Sequence, residues 1–137
     1  MCLLDRVLRW SAGDIVCQAH SHLDPENPLR HAGRLGSASG IEYGLQAAAL
    51  HGALRAGQLP QPCGFLASLR AVTFHVPRLD DPALGVLRII ARIEGDSTAG
   101  VAYSFHLFAE NGRRLLEGRG LIALHDPVSA KHTERTV

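Results

Sequence analysis

The residues best placed to do chemistry are a carboxylate and a carboxamide four positions apart, Glu42 and Gln46. Both lie in the small and apolar run Gly36–Ala56, GSASGIEYGLQAAALHGALRA. A helix that is apolar nearly all round is usually buried, and a glutamate is seldom buried without a partner or a task. Glu42 is therefore a candidate for acid–base work, and Gln46 for orienting it or satisfying backbone groups. The histidines that could share a proton with Glu42 are His22 and His31, which stand in the stretch before the helix. His51 falls among small residues on one helix face and reads as a hydrogen-bonded core histidine. His75 and His106 fall in strand-like runs and read as facing solvent or a neighbour. His20 and His22 would project from one side of a strand, but with no third donor nearby they do not describe a metal site. The sequence has no GxGxxG, no GxxxxGK[ST], no GxSxG and no HExxH, so the chemistry it suggests is proton transfer.

The element that must position these groups is a helix starting near Ser37 or Ser39, either of which can cap free N–H groups, and ending near Gly57. At 1.5 Å per residue it forms a rod of roughly 30 Å, long enough to cross a domain. Gly40, Gly44, Ala47, Ala48 and His51 recur at helical spacing, a face on which a sheet could approach the helix backbone closely; Glu42, Leu45, Gln46 and Ala49 form a neighbouring face. Upstream, Cys2–Trp10 and Ile15–His20 read as two strands joined by the turn cluster Ser-Ala-Gly-Asp, and His22–Leu35, with two prolines, reads as an ordered loop. Downstream, a Pro-rich linker at 58–64 leads to four strand-like runs, Phe65–Val76, Leu84–Glu94, Val101–Ala109 and Leu115–Leu124. Asn111-Gly112 is a strong hairpin signal between the last two. Runs joined in this way predict an antiparallel meander, and strands, helix, strands predict an α+β fold with the sheet curled round one buried helix. Residues 1–125 are expected to form a single domain and 126–137 a flexible tail.

Composition narrows the classes of function. In the 137-residue chain, 14 Lys and Arg stand against 13 Asp and Glu, a formal net charge of +1 that gives no reason to expect nucleic acid as a partner. Cys2, Cys17 and Cys63 show neither CxxC spacing nor a disulfide framework and read as packing residues in a reducing compartment. No apolar run reaches the roughly 18 residues of a membrane span and no signal peptide is evident, so the protein is expected to be soluble and cytoplasmic.

Several of these stretches also carry a resemblance. LLDRV at 3–7, the NPL loop at 27–29, GRL at 33–35, GIEYGLQAAALHG at 40–52 and FLASLRAVTFHVPRLDDP at 65–82 follow one another in an order similar to the hotdog-fold 3-hydroxyacyl-ACP dehydratases. The likeness is strongest to a divergent branch acting in fatty acid, polyene or polyketide-like synthesis. It spans about Cys2 to Leu124, and the GRL turn with the helix is its most specific part. The resemblance implies a long central helix wrapped by a curved antiparallel sheet, and a short segment upstream of LLDRV. It implies an acyl-pantetheine thioester substrate on acyl carrier protein or CoA, and no metal or organic cofactor. It further implies sites formed between protomers of a homodimer or higher oligomer, or of a heterodimer with a dehydratase homologue.

Glu42 matches the family's helix carboxylate, and Ser37, with Gly36 beside it, falls where the family polarises the thioester with a backbone amide. Arg34 is a candidate for the phosphate of a pantetheine arm. The family histidine, which follows a glycine in the loop, has no match, because Gly33, Arg34 and Leu35 occupy that turn. The candidates are His22 and His31, the latter eleven residues before Glu42. A hotdog thioesterase in which Glu42 activates water, and a non-catalytic subunit paired with an active dehydratase, are the alternative readings.

Overall fold

The structure is a computed structural model that describes residues 2–57, 64–98 and 100–124. Six strands form one antiparallel sheet: β1 (Arg6–Trp10), β2 (Asp14–Ala19), β3 (Gly64–Phe74), β4 (Leu87–Ser97), β5 (Gly100–Phe108) and β6 (Arg114–Leu124). One helix, α1 (Gly40–Arg55), packs on one face and touches β2 to β6. The expected α+β architecture, one helix in the lap of a curved antiparallel sheet, is thus present. None of the described helices is long and apolar enough to cross a membrane.

The small-residue face of α1 is what lets the sheet close on it. A Cβ built on Gly44 would stand 2.5 to 2.9 Å from the Cδ2, Cγ and Cβ atoms of Phe105, and one on Gly40 would collide with Leu116. Tyr43, Ala47, Ala48 and His51 are buried in the same interface, against Ile15, Cys17, Ile89, Phe105 and Leu107. Along β5 the alternation is regular, with Val101, Tyr103, Phe105 and Leu107 turned to the helix. Cys17 lies at 0% exposure and its thiol is pushed up to about 12 by burial, consistent with a packing role.

The helix differs at its start from the capped entry expected. Ser37–Ser39 form a 3₁₀ turn, α1 proper begins at Gly40, and no side chain caps either. The Ser37 hydroxyl donates instead to the Val76 carbonyl, and its N–H donates to the Pro77 carbonyl at 3.2 Å. The serine ties the helix to the chain leaving β3. At the other end Gly57 adopts φ +69°, the left-handed stop that its type predicts.

The sheet order corrects the expected meander. It is β1-β2-β4-β5-β6-β3, so β3 pairs with β6 at the far edge, and of the four strands after the helix only β4, β5 and β6 follow one another. The residues between β3 and β4 make this possible. Their backbone is drawn under the start of the helix by the bond from the Leu79 N–H to the Leu35 carbonyl (2.8 Å), and Leu79 is fully buried there. The Asn111-Gly112 hairpin is as expected, with Gly112 at φ +89° and Ala109 N–H bonded to the Arg113 carbonyl at 2.8 Å. β1 is shorter than the apolar run suggested, because Cys2–Asp5 lies outside the strand; β4 starts three residues later and runs to Ser97. The linker at 58–63, with Cys63, and the tail at 126–137 lie outside the described residues.

Gly44→Ala tests the close approach. Alanine favours a helix by about 1 kcal/mol over glycine, but overpacking costs about 1–3 kcal/mol when the neighbour cannot yield. The atoms met are the root of the fully buried Phe105 ring rather than the end of a flexible side chain. Urea unfolding is expected to show a net loss of about 1–2 kcal/mol; a gain would mean that Phe105 moves freely.

Candidate active site

The helix entry gathers polar groups from four parts of the chain. Tyr43 is fully buried, and its hydroxyl lies 2.7 Å from the Ser21 hydroxyl and 3.2 Å from the Asn27 amide nitrogen. The Ser21 hydroxyl also lies 2.7 Å from the Leu3 carbonyl, which can only accept. Ser21 therefore donates to Leu3 and accepts from Tyr43, which accepts from Asn27. Asn27 spends its remaining capacity on the Ser21 carbonyl (2.9 Å) and on the Leu29 N–H (2.9 Å). Gln46 accepts from the Leu3 N–H at 2.7 Å. Tyr43 and Gln46 thus bind the N-terminal segment and the loop to the helix.

Glu42, between them in sequence, points the other way. It is exposed, in the first turn of α1, and makes no hydrogen bond or ion pair with the described residues. The exposed Ala38 N–H at the helix entry likewise donates to no acceptor among the described residues. The helix start lends such an amide its partial positive charge. The Ser37 amide, by contrast, is engaged with Pro77, and Gly36 forms a bridge with Arg78.

The two candidate histidines sit in different settings. His22 is fully buried, with Nε2 2.8 Å from the Gly85 carbonyl. That carbonyl can only accept, so Nε2 carries the hydrogen and Nδ1 holds a lone pair, which has no partner among the described residues. Burial pushes its pKa below the ordinary value, against the opposing pull of the Gly85 bond. His31 is exposed on a tight turn closed by His31 N–H to Arg34 carbonyl (2.8 Å) and Arg34 N–H to His31 carbonyl (3.0 Å). Ala32 and Gly33 carry the positive φ values, 52° and 74°, that such a turn requires. Arg34 is exposed at the same tip. The fold brings Glu42, Gln46, Gly36 and Ser37 to one end of α1, while His31 and Arg34 occupy a loop tip and His22 lies inside.

Two charged residues that the sequence did not single out hold this loop. Arg30 donates to the carbonyls of Asp24 (2.9 Å), Gly33 (3.0 Å) and His22 (3.2 Å), and its guanidinium reaches Asp80 at 3.5 Å. Arg78 grips Asp80 with two bonds, 2.8 and 2.6 Å, and holds its carboxyl well below the usual carboxylate range. His20 pairs with Asp5. Among the described residues there is no cluster of three or more His, Cys, Asp or Glu that could hold a metal ion.

His51 lies deeper along the helix. Its Nε2 donates to the Ser11 carbonyl (2.7 Å), which leaves Nδ1 to accept from the Tyr103 hydroxyl (2.7 Å). Trp10 and Tyr103 meet its ring edge-on. Both ring nitrogens being satisfied, it is the core histidine expected, and it pins the β1–β2 hairpin over the helix.

A single long helix packed against a curved antiparallel sheet is the hotdog architecture. The chain belongs to the ApeP-like dehydratase family, whose model matches residues 1–127. Among solved structures, the chain is similar to the dehydratase heterocomplex ApeI:P from Xenorhabdus doucetiae, with a TM-score of 0.80 and 20% identity over 96% of this chain and 88% of that one. It is also similar to AziG of S. sahachiroi, with a TM-score of 0.61 and 17% identity over 87% of this chain and 89% of that one. A third is a hypothetical thioesterase with coenzyme A from Streptococcus pneumoniae TIGR4, with a TM-score of 0.63 and 13% identity over 87% of this chain and 86% of that one. No protein with a curated description matches the chain in sequence.

Burial lowers the pKa of His22, His51 and His106. Each favours the neutral ring when folded, so this stabilisation is complete above about pH 6.5 and is lost as the pH falls below it. Urea midpoints are expected to drop between pH 7.5 and 5.5, and less steeply in His51→Gln. An equal slope in the variant would show that His51 takes up its proton freely in the folded chain.

Proposed function

We propose that the chain is a 3-hydroxyacyl thioester dehydratase of fatty acid or polyketide/polyene-type synthesis, with Glu42 as a catalytic carboxylate and a second hotdog chain completing the site. The observation that carries this reading is the contrast along one turn of α1: Tyr43 and Gln46 are committed to structure, whereas Glu42 stands at the surface with no partner among the described residues. A carboxyl that moves protons works best where water is excluded, and in the single chain Glu42 faces solvent. β3 offers the place for a cover. It is an edge strand whose outer backbone groups have no partner strand, and it exposes Leu69 (37%) and Phe74 (45%). A second chain added there would extend the sheet. It could be an identical copy or a dehydratase homologue, and the neighbour whose own structure is a dehydratase heterocomplex supports the second arrangement.

The reaction removes the proton at C2 of the acyl chain and the hydroxyl at C3. A histidine takes the C2 proton, the electron pair moves toward the thioester carbonyl, and an amide at the helix entry stabilises the charge on its oxygen. The Ala38 N–H is open for this role, where the Ser37 N–H is engaged. The C3–O bond then breaks as the Glu42 carboxyl gives its proton to the departing hydroxyl, leaving water and a 2-enoyl thioester. Within this chain His22 has the ring state that a base needs, neutral with a lone pair at Nδ1, but it must be uncovered to act. His31 is the exposed alternative, and a histidine of the second chain would make this chain the carboxylate-bearing half of a pair.

A 3-hydroxyacyl carrier-protein substrate, followed by enoyl absorbance, tests the reading with the chain alone and mixed with a dehydratase homologue. Glu42→Gln is expected to lower kcat by roughly 10²–10⁴-fold in whichever sample is active. His22→Gln and His31→Gln should lower it only if the base is in this chain. Full activity of Glu42→Gln would overturn the carboxylate role. Release of free thiol with no enoyl product would mark a thioesterase, with Glu42 activating water.

A further inference from the structure

The sheet face turned away from the helix carries a feature that acid–base chemistry at Glu42 does not use. Antiparallel partners project to the same side, and the register sets Arg92, Ser104, Arg119 and Arg70 in one row across β4, β5, β6 and β3. Arg70 and Arg119 face each other directly. Neither makes an ion pair or side-chain hydrogen bond with the described residues, and both are exposed. Like charges placed opposite one another destabilise a ladder, so a counter-charge is wanted there.

The same place is not flat. A cavity of about 270 Å³ is lined by Ser68, Arg70, Glu94, Ala102, Arg119 and Leu121, among others. The β3 and β4 walls coincide with interruptions of the ladder. β3 slips register on both sides of Ser68–Arg70, and β4 slips between Ile93 and Gly95, around Glu94. Within the second β3 slip Ala71 is held at φ +56°, a conformation that costs a non-glycine residue about 1 kcal/mol or more. Bulges re-aim side chains and bend strands, and here they turn a sheet face into a hollow. β4 and β3 lie three strand spacings apart, so the hollow runs about 14 Å from Glu94 to Arg70.

We propose that this hollow binds a phosphorylated small molecule, with its phosphoryl group between Arg70 and Arg119. Paired guanidinium forks match phosphate oxygens, and Ser68 adds a hydroxyl on the same wall. At the other end Glu94 would repel a second anion and accepts instead from a hydroxyl or amide N–H. The ligand is thus elongated, anionic at one end and a hydrogen-bond donor at the other. The site lies across the sheet from α1 and does not depend on the dehydratase reading.

Titration of the full chain with inorganic phosphate and with glucose 6-phosphate, at ionic strength held constant with KCl, tests this. Binding followed by calorimetry or by the arginine Nε–H resonances should saturate for both. Arg70→Gln and Arg119→Gln should each weaken it about tenfold, the loss of one charge-assisted contact. Glucose 6-phosphate should bind more tightly than phosphate, and Glu94→Gln should reduce that advantage. Absence of saturable binding, or unchanged affinity in the Arg70→Gln/Arg119→Gln double variant with its urea midpoint preserved, would overturn the proposal. So would a double variant that changes oligomeric state by sedimentation and not phosphate affinity, because the arginines would then be meeting a second chain.

Discussion

Contact between α1 and the sheet rests on the absence of side chains at Gly40 and Gly44. Phe105 and Leu116 occupy the space where their Cβ atoms would stand, and the core from Ile15 to Leu107 closes around that contact. Helix-on-sheet packing usually places side chains of both elements between the backbones; at Gly40 and Gly44 only the sheet's side chains stand there. The sheet must then curve to keep touching the helix on both sides. Curvature in turn calls for register breaks, and these occur in β1, β3, β4 and β6. The hollow on the outer face thus follows from the same constraint as the buried helix.

The close approach also decides which polar groups remain available. With α1 pressed against apolar strands, its polar side chains must hold the segments around it by specific bonds. Tyr43 and Gln46 do this for the N-terminal segment and the loop, and His51 does so for the β1–β2 hairpin. These bonds are buried or partly buried and mutually directional, so each fixes its neighbour's donor and acceptor roles. Glu42 is set apart because the helix turns it away from both the sheet and the overlying loop.

The helix, its glycine face and its C-terminal stop were legible because each depends on local sequence: spacing, side-chain size and a glycine at the left-handed position. The hairpin at Asn111-Gly112 was legible for the same reason. The place of β3 was not. Strand pairing is a long-range choice, and here it turns on a connector whose role shows only in space, with Leu79 bonded to Leu35 and Asp80 gripped by Arg78 and Arg30. Nothing in the separation of Arg30 and Asp80, fifty residues, announces that they meet. The carboxylate candidate was visible as a charged residue in an apolar helix. The engaged state of the Ser37 amide and the inward setting of His22 depend on that same connector, through Pro77 and Gly85.

Moving β3 to the edge has a consequence for the site. In the expected meander β3 would pair with β4; here it pairs with β6, and β4 pairs with β2 instead. At the edge it leaves a row of backbone groups open, bordered by Leu69 and Phe74, which are too apolar and too exposed to suit a terminus of the sheet. Exposed, β-branched or aromatic edges without lysine or an inward charge are stable in solution when another strand covers them. A strand added there would extend the sheet and need not disturb the Gly40 and Gly44 contact. An open strand, and a Glu42 carboxylate with no partner among the described residues, are the two features that the proposed second chain would meet.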